Sequence, residues 1–223
     1  MSTTRGSGPE LKLLALDTST EYCSAALLCD AELTHSEAHA VQRHSELILP
    51  MIEQLLSAAG VTLTQLDGIA FGSGPGSFTG LRIACGVAQG LAFGAGLPVV
   101  PVGTLLALAE EADALNVISC LDARMGEVYH AVYRREQGRW SEIEPPGVGP
   151  VESMPEVRGG GWFGILAPCN HTLRESHDAH PVRTGKPQYP MHRDAVARHP
   201  PMIEAVAHIW QRDMINSLYW FYG

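Results

Sequence analysis

The chain has 223 residues, of which 45% are hydrophobic, and a formal net charge of −9. This length suffices for one large domain or two small ones. The acidic balance argues against stand-alone binding of nucleic acid, because phosphates attract clustered Lys and Arg. The five cysteines form no CxxC pair, and the N-terminus MSTTRGSGPE lacks an apolar signal region. We therefore expect a cytoplasmic protein with reduced thiols and no contact with a membrane.

The first predicted elements are a β-hairpin and a helix. LKLLALDT (11–18) and CSAALL (23–28) are apolar, and the first of these strands ends at Asp17. The spacing of apolar residues over 45–60 predicts an amphipathic helix that ends at its final glycine. Pro50 indicates either a late start or a kink of this helix.

A glycine loop separates the next strand from the next helix. LDGIAFGSG (66–74) is a short strand that runs into GSGPGS, and a helix follows from Ser77 to about Gly94. LPVVPV (97–102) then predicts a strand and TLLALAEEA a further helix.

A second strand–Asp–turn–strand unit follows. NVISCLDA (116–123) ends near Asp122, and EVYHAVYR (127–134) pairs with it as a hairpin. The repetition predicts two related α/β lobes with a boundary between residues 100 and 115. The predicted divisions are a disordered tail 1–10, a first lobe 11–105, a partial second lobe 106–164 and an atypical tail 165–223.

The glycine loop is a candidate anion site. GSGPGSFTG lacks the lysine of a P-loop, and its glycines are not spaced as in a dinucleotide-binding loop. A strand-to-helix turn can nevertheless cradle an anion with its backbone N–H groups, while a tight packing turn is the alternative. The candidate nucleotide or anion-binding residues are Asp17, Thr18, Ser19, Gly74, Gly76 and Ser77.

The two strand-end aspartates allow different readings. A carboxylate at a strand end can hold a magnesium–phosphate complex or cap its own turn. For Asp17 both remain open, whereas the surroundings of Asp122, DARMGE, favour the turn.

Three glycines of the second helix share one face. Gly86, Gly90 and Gly94 are four residues apart and so lie in one row. Together they reduce helix propensity by roughly 2–3 kcal/mol relative to alanine. Either this face packs closely on the chain's own sheet or it contacts a partner helix, and the sequence leaves both open.

The histidines His35, His39 and His44 do not predict a metal site. His35 and His39 would suit a metal if they lay on a helix, but no third ligand is evident. We interpret them as ordinary surface or loop histidines.

Four segments together resemble the TsaB (YeaZ) family: LLALDTSTEYCSAALL, HSELILPMI, GSGPGSFTGLRIACGVAQGLA and DARMGEVYHAVY. The resemblance covers residues 11–164, and GPGSFTGLRI is its most specific part. It implies an actin-like and Hsp70-like ATPase fold with two ribonuclease-H-like lobes, the second incomplete. It also implies a non-catalytic dimerisation subunit in the formation of threonylcarbamoyladenosine at position 37 of tRNAs.

The resemblance implies particular partners and residues. TsaD would be the catalytic partner in a heterodimer and TsaE an ATPase that joins it, with a homodimer as an alternative and tRNA bound only through the complex. Thr104 and Leu108 stand where TsaD carries a metal-binding histidine pair, so we expect no metal and no catalytic residue here. ATP or ADP with Mg²⁺ would act only in the complex. The expected partner interface comprises Leu47, Met51, Leu55, Gly80, Ala84, Gly86, Gly90 and Gly94.

The resemblance ends near residue 164. Residues 165–223 contain six of the ten histidines and none of the closing segments typical of TsaB-like chains. We interpret this tail as the product of a shifted reading frame, with a divergent tail as the alternative. Two other functions stay open for the chain, a metallopeptidase and a stand-alone nucleotide-binding protein.

Overall fold

A computed structural model of the chain describes residues 11–29, 32–112, 114–153 and 162–166. The predicted tail 1–10 and nearly all of the predicted tail 165–223 lie outside these ranges. No helix in the described ranges is long and apolar enough to cross a bilayer. The elements are β1 (Lys12–Asp17), β2 (Tyr22–Cys29), β3 (Glu32–His39), α1 (His44–Ala59), β4 (Gly68–Gly74), α2 (Phe78–Ala95), β5 (Val99–Gly103), α3 (Thr104–Glu111), β6 (Asn116–Arg124), β7 (Glu127–Glu136), β8 (Arg139–Pro150) and β9 (Trp162–Leu166), with short 3₁₀ helices at Leu63–Gln65 and Val151–Ser153.

Five strands form the first sheet, in the order β3-β2-β1-β4-β5. The first three strands are antiparallel, and β4 and β5 run parallel to β1. Strand β1 is central and covered on both faces, which explains its unbroken apolar sequence. Its alternate residues Leu14 and Leu16 pack with α1 and α2, whereas Leu13 and Ala15 belong to the core on the other face, which includes Ala107 of α3.

Helix α1 begins at His44 and ends at Gly60, which has the left-handed φ of +67° typical of a helix stop. The helix continues through Pro50, so of the two alternatives for this proline the late start is excluded. Pro50 is exposed. On the opposite side of the helix, Ile48, Met51 and Ile52 are buried against the first sheet.

Strand β3 was not predicted, because its sequence ELTHSEAH is polar and contains a single β-branched residue. It forms one edge of the first sheet and pairs with β2 along its whole length. On a strand, His35 and His39 lie about 13 Å apart, given a rise of about 3.3 Å per residue. The helical spacing that would have suited a shared metal therefore does not occur.

The second sheet repeats the beginning of the first. Its order is β8-β7-β6-β9, with β6, β7 and β8 antiparallel and β9 parallel to β6. The same pattern in β3-β2-β1-β4 confirms the predicted α/β fold class with two related lobes. The described part of the second sheet has four strands and the first sheet has five. Strands β8 and β9 were not predicted.

Helix α3 contacts both sheets. Its residues Leu105 and Leu108 form a core with Val117 and Tyr133 of the second sheet. Tyr133 is 2% exposed, and its hydroxyl has no hydrogen-bond partner among the described residues. Burial, with a smaller effect of the Glu142 carboxylate, raises the pKa of Tyr133 above its ordinary value of 10.0.

Candidate functional site

The glycine loop joins the end of β4 to the start of α2, as predicted. Gly74 has a φ of +96°, which favours glycine. Ser77 is the N-cap residue of α2, and its side chain accepts a hydrogen bond from the backbone N–H of Gly80 at 3.4 Å. The loop therefore presents the N-terminus of an 18-residue helix, the kind of feature that binds anions in other proteins.

The turn between β1 and β2 packs directly on this helix start. The backbone N–H of Ser77 donates to the carbonyl of Ser19 at 2.8 Å. The buried Thr18 hydroxyl donates to the carbonyl of Gly80 at 2.6 Å. A β-carbon on Gly80 would overlap the carbonyl oxygen of Thr18 and lie 2.8 Å from its carbonyl carbon, so this contact between backbones requires glycine.

Asp17 is 1% exposed and caps the turn between β1 and β2. Its Oδ1 accepts hydrogen bonds from the backbone N–H and the hydroxyl of Ser19, both at 2.7 Å. The carboxyl group lies against Gly72, where an added β-carbon would overlap Oδ2 and lie 2.7 Å from Cγ. This arrangement favours the turn-capping reading of Asp17. Sequence reasoning missed the role of Gly72, because nothing in GSGPG shows which neighbour approaches it.

The structure brings the six candidate anion-binding residues together around one loop. Asp17, Thr18 and Ser19 come from the turn, and Gly74, Gly76 and Ser77 come from the loop beside it. The carbonyl of Ser19 accepts a hydrogen bond from the N–H of Ser77, which is one of the backbone groups that could bind an anion at this helix start. Anion binding by these residues remains a prediction.

Asp122 also caps its own turn. Its Oδ1 accepts a hydrogen bond from the backbone N–H of Arg124 at 2.7 Å, at the end of β6. This is the reading that the sequence DARMGE favoured.

Thr104 and Leu108 begin and end one turn of α3, and both are fully buried. The Thr104 hydroxyl donates to the carbonyl of Pro75 and so ties α3 to the glycine loop. Leu108 packs in the core beneath the second sheet. Within the described ranges, no group of three or more His, Cys, Asp or Glu side chains is arranged to hold a metal ion.

The glycine row of α2 faces solvent. A β-carbon added to Gly86, Gly90 or Gly94 would have no atom within 4 Å. On the opposite side of the helix, Gly80, Ala84, Ala88 and Ala92 are buried against the first sheet. Close packing on the β1–β2 turn therefore explains Gly80, but no contact within the described part of the chain explains the other three glycines.

Four of the eight expected interface residues belong to the chain's own core. Met51, Leu55, Gly80 and Ala84 are buried within the first lobe. Their place in a partner interface was implied by the resemblance, and it stays a prediction. The surface open to a partner consists of the glycine row with the half-buried Leu47.

Apolar side chains surround this surface. Phe93 is 93% exposed, Phe78 is 67% exposed, and the Arg82 guanidinium lies 3.9 Å from the centre of the Phe78 ring. An open groove of about 430 Å³ lies between α1, the first 3₁₀ helix and α2, and its lining includes Leu49, Ile52, Glu53, Leu56, Leu63 and Leu91. Exposed apolar clusters of this kind mark interaction surfaces. We call the glycine row and this groove the α1–α2 surface.

Known proteins match the chain in sequence. The family model described as "TsaD: tRNA N6-adenosine threonylcarbamoyltransferase" matches residues 32–160. The TsaB protein of Haemophilus influenzae, named for tRNA threonylcarbamoyladenosine biosynthesis, is 53% identical over 145 residues, 60% of this chain and 61% of that protein. Escherichia coli TsaB is 45% identical over 143 residues, 62% of each chain. The chain thus matches about three fifths of the length of these curated relatives.

A solved structure agrees with this result. YeaZ from Pseudomonas aeruginosa superposes with a TM-score of 0.63 and 44% sequence identity, covering 69% of this chain and 75% of that one. The family model covers more than half of the chain. The chain therefore belongs to the family that this model describes, and within it the chain resembles the TsaB (YeaZ) proteins.

Proposed function

We propose that the chain is a non-catalytic scaffold and dimerisation subunit. In this role it binds TsaD and supports the transfer of a threonylcarbamoyl group to adenosine 37 of tRNAs that read codons beginning with A. TsaE joins the complex, tRNA is bound through the other subunits, and any ATP or ADP with Mg²⁺ acts in the complex. The biosynthetic pathway named for the TsaB relatives and the TsaD family match support this role.

The exposed glycine row carries the proposal. Three glycines on one helix face lower helix propensity by roughly 2–3 kcal/mol, and no neighbouring atom within 4 Å requires them. A second helix backbone that approaches this face would require them, because any side chain there would hold the two helices apart. The apolar groove beside the row offers the partner the burial that stabilises such a contact.

The non-catalytic part of the proposal rests on α3 and the glycine loop. The two positions that match the TsaD histidine pair are a hydroxyl bonded to Pro75 and a leucine in the core. Neither side chain is an ordinary metal ligand. The N–H of Ser77 is already bonded to Ser19. The Thr104 hydroxyl and the Ser77 N–H thus connect α3, α2 and the β1–β2 turn to one another.

Binding to the purified TsaD of the same organism tests the proposal. Calorimetry would compare the unaltered chain with Gly90→Leu, which places a branched side chain in the middle of the glycine row. We expect binding to weaken at least tenfold, an effect of about 1.4 kcal/mol. The free variant should keep its fold, because the added side chain points into open space.

Ser141→Leu is the matched control, since it adds the same side chain at an exposed position of β8 in the second sheet. Its affinity for TsaD should equal that of the unaltered chain. Absence of binding by the unaltered, folded chain would contradict the scaffold role. Equal binding by Gly90→Leu would place the contact elsewhere on the chain.

A further inference from the structure

One face of the second sheet has buried apolar side chains that lie outside the cores described above. Val117 of β6 packs with α3, so its neighbour Ile118 points to the opposite face, which we call the outer face. Cys120, Val128 and Val132 also lie on the outer face, and they are only 5%, 2% and 1% exposed. None of the three belongs to the cores that the described helices form with the two sheets. Burial to this degree needs a covering layer, because a sheet face that is open to water exposes its side chains.

The first sheet shows what covers the equivalent face. Both lobes share one strand order, and each begins with a strand that carries an aspartate at its end. Counted back from these two aspartates, Ile118 and Cys120 correspond to Leu13 and Ala15 of β1. Leu13 and Ala15 pack in one core with Ala107 of α3. The outer face of the second sheet therefore corresponds to a face that a helix covers in the first lobe.

The chain beyond the described ranges offers one amphipathic segment. The segments 1–10 and 154–161 read MSTTRGSGPE and MPEVRGGG, and 167–200 is rich in His, Pro and Arg, so none of them has a helical apolar pattern. In 202–221 apolar residues recur at helical spacing after a pair of prolines, which favour helix starts. The members of this apolar stripe are Ile203, Val206, Trp210, Met214, Leu218 and Phe221.

We infer that residues 202–221 form a helix that docks on the outer face of the second sheet. Its apolar stripe packs on Cys120, Val128 and Val132, and its polar side faces water. The lengths agree, since 20 helical residues and the nine residues of β6 each extend over about 30 Å. Because the three side chains are buried in a single chain, the cover belongs to the chain itself and not to a partner. The inference is independent of the proposed function and of the reading frame that produced the tail.

The reactivity of the Cys120 thiol tests this cover. A maleimide reagent is applied to the folded, full-length chain, and mass spectrometry of its peptides follows the labelling of each cysteine. In the unaltered chain both Cys120 and the fully buried Cys23 of the first lobe should react slowly. Trp210→Glu and Met214→Glu each place a charge in the apolar stripe. They should speed the labelling of Cys120 at least about tenfold and leave Cys23 protected.

Asn216→Glu is the matched control, since it adds the same charge on the opposite side of the same segment. Its Cys120 should react as slowly as in the unaltered chain. Fast labelling of Cys120 in the unaltered chain would overturn the inference, and so would unchanged labelling in both stripe variants or equal acceleration by Asn216→Glu. Parallel acceleration at Cys23 would also overturn it, because the substitutions would then act on the whole fold and not on one sheet face.

Discussion

Two glycines of the same helix should respond in opposite directions to replacement by alanine. At Gly90 the added β-carbon would have no atom within 4 Å, so only helix propensity changes. Alanine should then increase the free energy of unfolding by about 1 kcal/mol. For a chain of this length, that change raises the Tm by about 2–4 °C.

At Gly80 the same methyl group meets the backbone of the β1–β2 turn. Its β-carbon would overlap the Thr18 carbonyl oxygen and lie 2.8 Å from the carbonyl carbon, and no flexible side chain can move aside. Such overpacking should reduce the free energy of unfolding by about 3 kcal/mol, which outweighs the gain in propensity. The Tm should fall by at least about 5 °C.

Thermal unfolding followed by circular dichroism measures both variants under one condition. The critical result is that the Tm rises for Gly90→Ala and falls for Gly80→Ala, because the two substitutions are chemically identical and lie on one helix. A lower Tm for Gly90→Ala would show that the glycine row packs within the chain, and it would remove the main argument for a partner surface. A stable Gly80→Ala would refute the close contact between α2 and the turn.

Two further predictions concern buried hydroxyls. Tyr133→Phe should increase the free energy of unfolding by about 1 kcal/mol, because the buried Tyr133 hydroxyl has no partner among the described residues. Because burial raises the pKa of Tyr133 in the folded state, the unfolded chain loses this proton above about pH 10 while the folded chain keeps it, and the free energy of unfolding should fall as pH rises. Denaturant titrations at pH 8 and pH 11 should show a smaller fall in this free energy for Tyr133→Phe than for the unaltered chain. Equal falls would contradict this. Thr104→Val should reduce the free energy of unfolding by about 1 kcal/mol, because it removes the hydrogen bond to the Pro75 carbonyl. Thr104→Ser keeps a hydroxyl and should retain most of this stability. Equal losses of stability in both variants would assign the effect to packing.

Elements with strong local signals could be predicted from the sequence. The apolar run before Asp17 and the amphipathic pattern that ends at Gly60 correspond to β1 and α1. Strand β3 carries no such signal, because its polar side chains lie at a sheet edge and only its pairing with β2 makes it a strand. The prolines and glycines of β8 obscured a long edge strand in the same way.

The sequence named the residues of the candidate site, but it could not show their contacts. The sequence identified the glycine row, yet it could not show that Gly86, Gly90 and Gly94 face solvent while Gly80 meets the Thr18 backbone. Helical spacing places Gly80 on a different face from Gly86, Gly90 and Gly94, but only the tertiary position of the β1–β2 turn shows which face is covered. For the same reason, the sequence could not show that Met51 is buried within the first lobe.

Light scattering on a sizing column tests the scaffold role most directly, with the chain alone and then mixed with the TsaD of the same organism. The proposed function predicts a new peak whose mass equals one copy of each protein, and Gly90→Leu should reduce this peak. Separate elution of the two folded proteins at micromolar concentration would contradict the central claim that this chain is a binding partner of TsaD.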